Sequence, residues 1–297
     1  MSDLANPGTT SDDYVARVNR AIDHVTRHLA EPLRLDDVAK VACFSPFHFH
    51  RVFRSVMGET LHDFVSRVRL ERAVFLMARA RGLRLTDIAL QCGFASSSDF
   101  SRAFKALHGV SPRSFDVAAH TSAGRARLRL ERLPVGQNPD GFRVDLHDLP
   151  ERRVAYLRVS NPYEPGRVQD ASERLLAWAR TRGLAGGQWL GYQWDSPDVV
   201  TPEQCRHDVG VVVPEGAVVD DWPSVACLPP MKVAEVAIAG SLDLETRAVD
   251  WLYGTWLPRS GYLPAHQPMF EAWDGEPFAH GTTDFRLRLH LAVARVV

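Results

Sequence analysis

The chain has 297 residues, which is enough for two or three domains, and 45% of them are apolar, which is enough for real cores. It contains no apolar run of the length that a membrane-spanning helix requires, and its first residues lack the basic-then-apolar pattern of a secretion signal. The net charge of −1 would argue against a nucleic-acid-binding protein, but the charge is unevenly divided. Residues 1–120 hold 16 Lys+Arg against 13 Asp+Glu, whereas residues 121–297 hold 19 against 23.

Cysteine usage indicates the compartment in which the protein works. The four cysteines, at positions 43, 92, 205 and 227, lie far apart and form no C-x-x-C pair. We therefore expect reduced thiols and a cytoplasmic protein. Residues 1–12 are polar and are predicted to form a disordered lead.

The first predicted elements are helices. Apolar residues spaced three and four apart between Val15 and Leu29 predict an amphipathic helix that stops near Pro32. A second helix is predicted from about Leu35. Ser45 and Pro46 then provide an N-cap and a first-turn proline for a third helix, predicted over 46–57. Its apolar face is expected to consist of Phe49, Val52, Phe53 and Val56.

The stretch 85–109 predicts a short helix, a sharp turn at Cys92-Gly93-Phe94 and a second helix. Ser96-x-x-Asp99 has the form of a capping box and can start the second helix, and Gly109 can end it. The apolar stripe of that helix is Phe100, Ala103, Phe104 and Leu107. Two short helices joined by a glycine-bearing turn are typical of a helix-turn-helix, although an ordinary helical hairpin would show the same pattern.

An internal repeat favours the interpretation of 85–109 as a helix-turn-helix over an ordinary helical hairpin. Leu35-x-Asp37-Val38-Ala39 matches Leu85-x-Asp87-Ile88-Ala89 at an offset of 50 residues, and Gly58 matches Gly109 at an offset of 51. Between the copies, 61–81 is predicted to form a helix roughly 30 Å long, close to the 34 Å turn of B-DNA. One monomer could therefore place two recognition helices in successive major grooves.

Residues 13–118 resemble the DNA-binding domain of AraC-type (AraC/XylS) transcription regulators, most closely in the stretch that ends with Gly109-Val110-Ser111-Pro112. The resemblance implies an all-α domain with two helix-turn-helix units that binds double-stranded DNA. The outward-facing candidates on its two recognition helices are Phe47, His48, His50, Arg51, Arg54, Ser97, Ser98, Asp99, Ser101, Arg102 and Lys105. All of them except Arg54 and Lys105 also match base- or backbone-reading positions of the family. Each single residue could instead be a solvated surface residue.

His48 and His50 are not expected to chelate a metal, because residues two apart on a helix point in different directions.

Residues 119–140 are rich in Gly, Pro, Ser and Arg and are predicted to form a linker. From residue 141 onward the pattern changes to strands with interposed helices. Val154-Ala155 matches Val233-Ala234 at an offset of 79, and Trp194-Asp195 matches Trp273-Asp274 at the same offset. The sequence thus predicts an α+β domain of two strand-helix-strand-strand repeats with a cleft between them. The predicted strands are 153–159, 189–194, 207–213, 231–239, 269–273 and 284–292, and the predicted helices are 168–182 and 244–257.

Residues 141–297 resemble the GyrI-like effector-binding domain of multidrug-sensing regulators. Four segments carry the resemblance: 154–158, 205–208, 256–262 and 270–273. It implies that Glu271 is the acid of a ligand pocket and that the effector is a small molecule, in some members a lipophilic cation. The repeat makes Tyr192 the counterpart of Glu271. The aromatic residues that could line the same cleft, or could simply be core, are Tyr156, Tyr163, Tyr192, Trp194 and Trp273. Glu271 could alternatively face solvent on an edge strand.

We therefore expect a bacterial transcription regulator, DNA-binding domain first, whose second domain binds a small molecule and changes promoter affinity or contacts with RNA polymerase. No cofactor, metal or catalytic residue is predicted, because the sequence lacks the common nucleophile, zinc-protease and phosphate-loop motifs. Two alternatives remain open: a small-molecule hydrolase or sequestering protein with a DNA-binding appendage, and a regulator whose second domain binds only protein.

Overall fold

A computed structural model describes residues 10–79, 83–128, 133–219, 222–265 and 267–295. The chain forms two compact units, one made of the residues up to Thr121 with Val219–Ser224, the other of Ser122–Val218 with Val225 onward. Residues 1–9 of the predicted disordered lead lie outside the described residues. The first helix begins at Thr10, inside the predicted lead.

The first unit is helical, as predicted. Its helices are α1 (Thr10–Arg27), α2 (Leu35–Val41), α3 (Pro46–Met57), α4 (Leu61–Arg79), α5 (Leu85–Gln91) and α6 (Ser97–His108), followed by a short 3-10 turn (Pro112–Ser114). One core cluster joins α1 to α4, with Phe49, Phe53 and Phe64 fully buried at its centre. The rings of Phe49 and Phe53 lie 5.4 Å apart, and those of Phe53 and Phe64 lie 5.6 Å apart, so α3 is held against α4 by aromatic packing.

Helix α7 (Val117–Leu128) occupies part of the predicted linker, so the linker prediction was wrong for residues 119–128. Alanine, arginine and leucine favour helix here and outweigh the single Gly124. That glycine also has a packing reason, because a Cβ on it would lie 2.6 Å from the Pro197 carbonyl oxygen. Residues 129–132 of the predicted linker lie outside the described residues.

The second unit is built on an antiparallel sheet. Its strands are β1 (Asp145–Leu149), β2 (Arg152–Ser160), β3 (Trp189–Gln193), β4 (Arg206–Val213), β5 (Ser224–Leu228), β6 (Met231–Gly240), β7 (Tyr262–Pro264), β8 (Met269–Trp273) and β9 (Phe285–Arg295). The helices are α8 (Arg167–Thr181), α9 (Leu242–Trp251) and α10 (Leu257–Ser260), with a π-helical turn (Leu252–Trp256) between the last two. The two predicted repeats are therefore present, and β1, β5 and β7 were not predicted.

The strand order is β1-β6-β9-β8-β3-β4-β2-β5, with β7 paired to β9. The central contact joins β3 of the first repeat to β8 of the second. Only two residues separate β1 from β2, and only two separate β5 from β6, although each pair is far apart in the strand order. The sheet must therefore curl strongly, and Arg152 Nη2 lies 4.0 Å from Met231 Sδ where β2 and β6 begin.

Strand β9 shows how the two sides of this sheet differ. Leu287, Leu289 and Leu291 are buried on one side, as the alternation predicted. Glu271 lies opposite Leu289 in the ladder, on the side that α9 covers. His290 lies on the other side and is also buried, so that side is not fully exposed to solvent.

Candidate functional site

The two helix pairs of the first unit have the same local geometry. At each turn the amide of a phenylalanine donates to a carbonyl oxygen of the preceding helix, Phe44 to Ala39 and Phe94 to Ala89, both at 3.0 Å. The residue before each phenylalanine has a positive φ, 56° at Cys43 and 83° at Gly93. The sequence repeat is thus a structural repeat, with a cysteine in one copy where the other has glycine.

Both recognition-helix candidates, α3 and α6, begin and end in the same way. The Ser45 hydroxyl accepts a hydrogen bond from the His48 amide, and the Ser96 hydroxyl accepts one from the Asp99 amide at 3.0 Å. Each helix has 12 residues and ends at a left-handed glycine, Gly58 or Gly109. The predicted caps Ser45, Ser96 and Gly109 are therefore confirmed, and Gly58, the repeat counterpart of Gly109, ends α3 in the same way.

The candidate DNA-contacting residues lie on the outer faces of these helices. Ten of the eleven are exposed, and Asp99 is partly buried because it bonds to the Ser96 hydroxyl at its own N-cap. Asp99 also holds the Arg102 guanidinium in an ion pair on the surface of α6. Arg51, at the matching position of α3, lies instead over the Phe47 ring, with its guanidinium 5.9 Å from the ring centroid. The two arginines are therefore presented differently.

The predicted apolar faces are correct only near the centre of each helix. The paired phenylalanines of α3 and α6 are buried, but Val56 and Leu107 are exposed. Val56 borders an open groove of about 530 Å³ between α1 and α3, lined also by Tyr14, Val15, His48, Arg51, Val52 and Ser55. Helical spacing alone could not show that neighbouring helices do not cover these last turns.

In the second unit, two carboxyl groups meet at the central strands. Glu271 on β8 and Glu245 on α9 are both buried, with 5% and 3% of their surfaces exposed. The Gln193 side-chain amide on β3 donates to both, at 2.8 Å to Glu271 Oε1 and 3.0 Å to Glu245 Oε1. Trp273 Nε1 donates to Glu271 Oε2 at 3.0 Å. The alternative that Glu271 faces solvent on an edge strand is therefore wrong, because β8 is central and its carboxyl group is enclosed.

Gly191 on β3 leaves room for this carboxyl group. It lies opposite Glu271 in the β3–β8 ladder, and a Cβ on it would be 2.6 Å from Glu271 Oε2. Any side chain here would push the Glu271 carboxyl group out of its place. His207 on β4 borders the same spot, with its Cε1 3.1 Å from that Cβ position.

Electrostatically, the pair is unusual. Burial raises the pKa of Glu245 well above its usual value, and the neighbouring Glu271 raises it further. Burial also raises the pKa of Tyr163, with Cys205, Glu245, Asp198 and Glu271 adding to the effect. Within the described residues no lysine or arginine side chain bonds either carboxyl group. The site can therefore receive a positive charge.

Sequence reasoning missed Glu245 and Gln193. A signal for Glu245 was present, because it lies three and seven residues before Ala248 and Leu252 and so shares the apolar face of its helix. A glutamate there is buried when the helix packs. For Gln193 there was no comparable signal, since its role depends on which strand pairs with β3.

The structure divides the six predicted pocket residues between the two sides of the sheet. Glu271, Trp273 and Tyr163 are grouped around the carboxyl pair. Tyr192 stacks on Phe270 across the strands at 4.8 Å, on the opposite side. Trp194 donates to Asp208 at 2.6 Å on that side, where the Arg158 guanidinium lies over the rings of both Tyr156 and Trp194. Three of the six are therefore not at the Glu271 site.

The proposed equivalence of Tyr192 and Glu271 was also wrong. The β3–β8 ladder pairs Tyr192 with Phe270 and Gly191 with Glu271. The twofold relation therefore equates Tyr192 with Phe270, and Gln193 with Glu271. The matching Trp-Asp pairs suggested an offset one residue too long, and a shift of one residue in a strand moves a side chain to the other face.

Two further properties concern the described part of the chain. No group of three or more His, Cys, Asp or Glu side chains there is arranged to hold a metal ion. No helix there is both long and apolar enough to cross a membrane.

Comparison with known proteins supports both halves of this description. Residues 38–116 match a family described as "Helix-turn-helix domain", and residues 143–293 match one described as "GyrI-like small molecule binding domain". The "Probable transcriptional regulator LumQ" of Photobacterium leiognathi is 36% identical over 103 residues, covering 34% of this chain and 41% of that protein. "Transcriptional regulator Rob" of Salmonella typhimurium is 37% identical over 126 residues, covering 41% of this chain and 42% of that protein.

A solved AraC-type regulator from Chromobacterium violaceum is 27% identical and covers 33% of this chain and 86% of its own, with a TM-score of 0.31. The matched region spans less than half of the curated relatives LumQ and Rob. The GyrI-like match, in contrast, extends over half of this chain. The chain therefore belongs to the GyrI-like small molecule binding domain family, and it carries a helix-turn-helix domain in front of that domain.

Proposed function

We propose that this protein is a DNA-binding transcription regulator whose promoter binding, or contact with RNA polymerase, responds to a cationic small molecule. The observation that carries the DNA-binding part is the repeated pair of capped helices with exposed polar outer faces. Two such helices in one chain, separated by α4, suit two successive major grooves. The excess of basic residues before residue 121 is small, so base contacts are expected to carry much of the specificity.

A gel-shift titration of the full chain tests this part. Arg51→Ala and Arg102→Ala are each expected to cost about 1–3 kcal/mol of specific binding if the side chains reach base edges. Arg259→Ala, an exposed arginine of the second unit, is the matched control and should leave DNA affinity unchanged. If both recognition-helix variants bind as tightly as the wild type, these faces do not read DNA.

The effector class follows from the carboxyl pair. An ionised Glu271 in an enclosed site is costly unless a positive charge is near. Its present partners are two neutral N–H donors, from Gln193 and Trp273. A cation with a flat apolar body would pair with the carboxylate and bury its surface against the adjacent aromatic rings. Because Glu271 is only 5% exposed, entry of such a ligand requires the cover over its carboxyl group to open.

Helix α9, which carries Glu245, ends in an irregular turn. The π-helical segment at 252–256 interrupts the regular hydrogen bonding after α9. Segments of this kind are common at functional sites. This supports ligand entry beside α9.

Naphthalene-2-carboxamidine, a cation, and naphthalene-2-carboxamide, its neutral isostere, are suitable probes. In calorimetric titrations the wild type should bind the amidine much more tightly than the amide. Glu271→Gln keeps the shape of the side chain and removes the charge, so it should weaken the amidine far more than the amide. Equal losses for both probes, or no loss for either, would show that Glu271 does not read charge.

Hydrolysis is the second candidate function, because a protonated carboxyl group beside a carboxylate can act as acid and base. Chromatography of the amidine after long incubation separates the two functions. Recovery of intact amidine supports binding alone. Conversion to the amide that is lost in Glu271→Gln would establish a hydrolase.

A further inference from the structure

The Gln193 amide nitrogen lies 3.0 Å from Glu245 Oε1 and 2.8 Å from Glu271 Oε1, so the two buried carboxyl groups lie close together. Two carboxyl groups that share an enclosed site cannot both ionise without a cation beside them, because their negative charges repel each other. The Gln193 amide is neutral and cannot supply that positive charge. The ligand-free pair thus carries one proton and a single negative charge.

The hydrogen-bond partners indicate which residue holds the proton. Glu271 accepts from Gln193 and also from Trp273, whereas Glu245 accepts from Gln193 alone. Donors to a carboxylate favour its charged form, so Glu245, which has fewer donors, is the member that holds the proton. Burial, followed by the charge of Glu271, raises the pKa of Glu245, in agreement with this assignment.

The surroundings contain no competing cation among the described residues. Tyr163 before α8 and His207 on β4 border the pair, and Asp198 and Cys205, in the segment between β3 and β4, act on Tyr163. The raised pKa of Tyr163 keeps its hydroxyl neutral. While no ligand is present, the proton on Glu245 therefore takes the place of a cation, because it removes the second negative charge from the pair.

We infer that a cationic effector displaces this proton, so that Glu245 is a specificity-determining residue and effector binding is an exchange of the cation for one proton. The inference rests on the proposed cation binding at Glu271. When the cation enters, the O–H bond of Glu245 breaks, the proton passes to solvent and buffer, and the two carboxylates then hold the ligand together. A neutral ligand cannot stabilise the second negative charge and therefore leaves the proton in place.

The consequence is an affinity that depends on pH in a defined direction. Below the pKa that Glu245 has in the ligand-free protein, a rise in pH should strengthen amidine binding by up to about tenfold per unit. The amidine itself stays ionised at neutral pH, so its own titration does not contribute. Amide binding should not change with pH through this pair.

Calorimetric titration of the full chain with naphthalene-2-carboxamidine, at one pH in phosphate and in Tris, tests the inference. These buffers differ in their heat of protonation, so the difference in binding heat gives the number of protons released. The wild type is expected to release about one proton per amidine bound and none with the amide. Glu245→Gln should bind the amidine without proton release and with a flat pH profile between neutral and mildly acidic conditions.

Asp243→Asn, which removes an exposed carboxyl group from the first turn of the same helix, is the matched control and should behave as the wild type. The wild-type measurement is decisive even if Glu245→Gln does not fold. Amidine binding without proton release would overturn the exchange and leave the cation site standing. Failure of the wild type to bind the amidine at all would overturn the effector class and the exchange together.

Discussion

At the scale of single residues, the turns of the two helix-turn-helix units show one backbone conformation adopted by two different residue types. Cys43 holds a φ of 56° with an exposed side chain, whereas Gly93 holds 83°. A Cβ at Gly93 would lie 2.4 Å from the Leu29 carbonyl oxygen. The left-handed conformation is unfavourable for any residue with a Cβ, so the first turn carries strain that the second does not.

Cys43→Gly is therefore expected to stabilise the first unit by about 1 kcal/mol, because it removes that strain and loses no buried contact. Gly93→Ala should destabilise it by about 2–4 kcal/mol, because the added methyl group meets backbone atoms that cannot move cheaply. Urea denaturation followed by circular dichroism measures both changes. A destabilising Cys43→Gly would show that the thiol has a packing role.

Gly191 makes a second prediction at this scale. In Gly191→Ala the new methyl group would lie 2.6 Å from Glu271 Oε2, so the carboxyl group must turn away from Gln193 and Trp273. We expect the variant to lose the preference for the amidine over the amide while remaining folded. Gly186→Ala, where a Cβ meets nothing within 4 Å, is the control and should keep the preference. Unchanged discrimination in Gly191→Ala would place charge reading elsewhere.

At the scale of elements, α4 limits how the DNA can lie. Its 19 residues span about 28 Å, which is shorter than the 34 Å turn of straight B-DNA. The ion pairs of Arg67 with Glu59 and Glu71 support its first half. If this spacer is rigid, the duplex is expected to bend toward the protein so that both recognition helices can enter grooves.

Such a bend costs on the order of 1–6 kcal/mol in a site of this length. A circular-permutation gel assay should show it, together with a footprint that covers two successive major grooves. Straight DNA with both grooves protected would contradict the rigid spacer. A footprint over one groove would mean that only one helix pair is engaged.

Strand β9 provides a second pH prediction, which concerns stability rather than ligand binding. Burial lowers the pKa of His290 to about 4, with a further lowering by Arg152 and Arg288, although the Glu235 carboxylate at 2.8 Å favours the charged form. The folded pKa lies below the unfolded value of 6.5, so folding favours the neutral ring. Its contribution to stability is complete above pH 6.5 and is lost as the pH falls toward about 4.

His290→Gln removes this titration and should flatten that part of the stability curve of the second unit. The loss in the wild type is expected to reach about 3 kcal/mol at most, from the conversion of a pKa difference into free energy. Thermal unfolding at a series of pH values between 4 and 7 measures the difference. Parallel curves for the two proteins would show that the His290 ring is not held neutral.

At the scale of the whole molecule, the proposed function requires that effector and DNA influence each other. Coupling of 1–3 kcal/mol, or roughly 5- to 150-fold in affinity, is typical of such systems. Thermodynamic linkage demands that the amidine change DNA affinity by the same factor by which DNA changes amidine affinity.

Fluorescence anisotropy with a labelled operator, with and without saturating amidine, should therefore show a changed dissociation constant. Calorimetry on the DNA complex should show the reciprocal change for the amidine, and Glu271→Gln should abolish both. If the amidine binds and DNA affinity does not change, the ligand would have to act through RNA polymerase contacts instead.

The sequence by itself determined the elements that depend on local chemistry. The helix-turn-helix repeat, the serine caps, the glycine ends and the alternation in β9 follow from residue type and spacing, because hydrogen bonding and periodicity act within a few residues. The predicted fold class, an all-α unit followed by an α+β unit, is confirmed by the structure and by the two family matches.

Only the tertiary structure decided which residues meet. The pairing of β3 with β8 placed Gln193, rather than Tyr192, beside Glu271, because strand parity depends on an inter-strand register that sequence spacing misjudged by one residue. The packing of α9 placed Glu245, which lies 26 positions earlier in the sequence, beside the Glu271 carboxyl group. The charge state of a buried carboxyl group depends on the groups around it. Here those groups come from strands and a helix that are distant in sequence and meet only when the sheet curls and α9 packs on it.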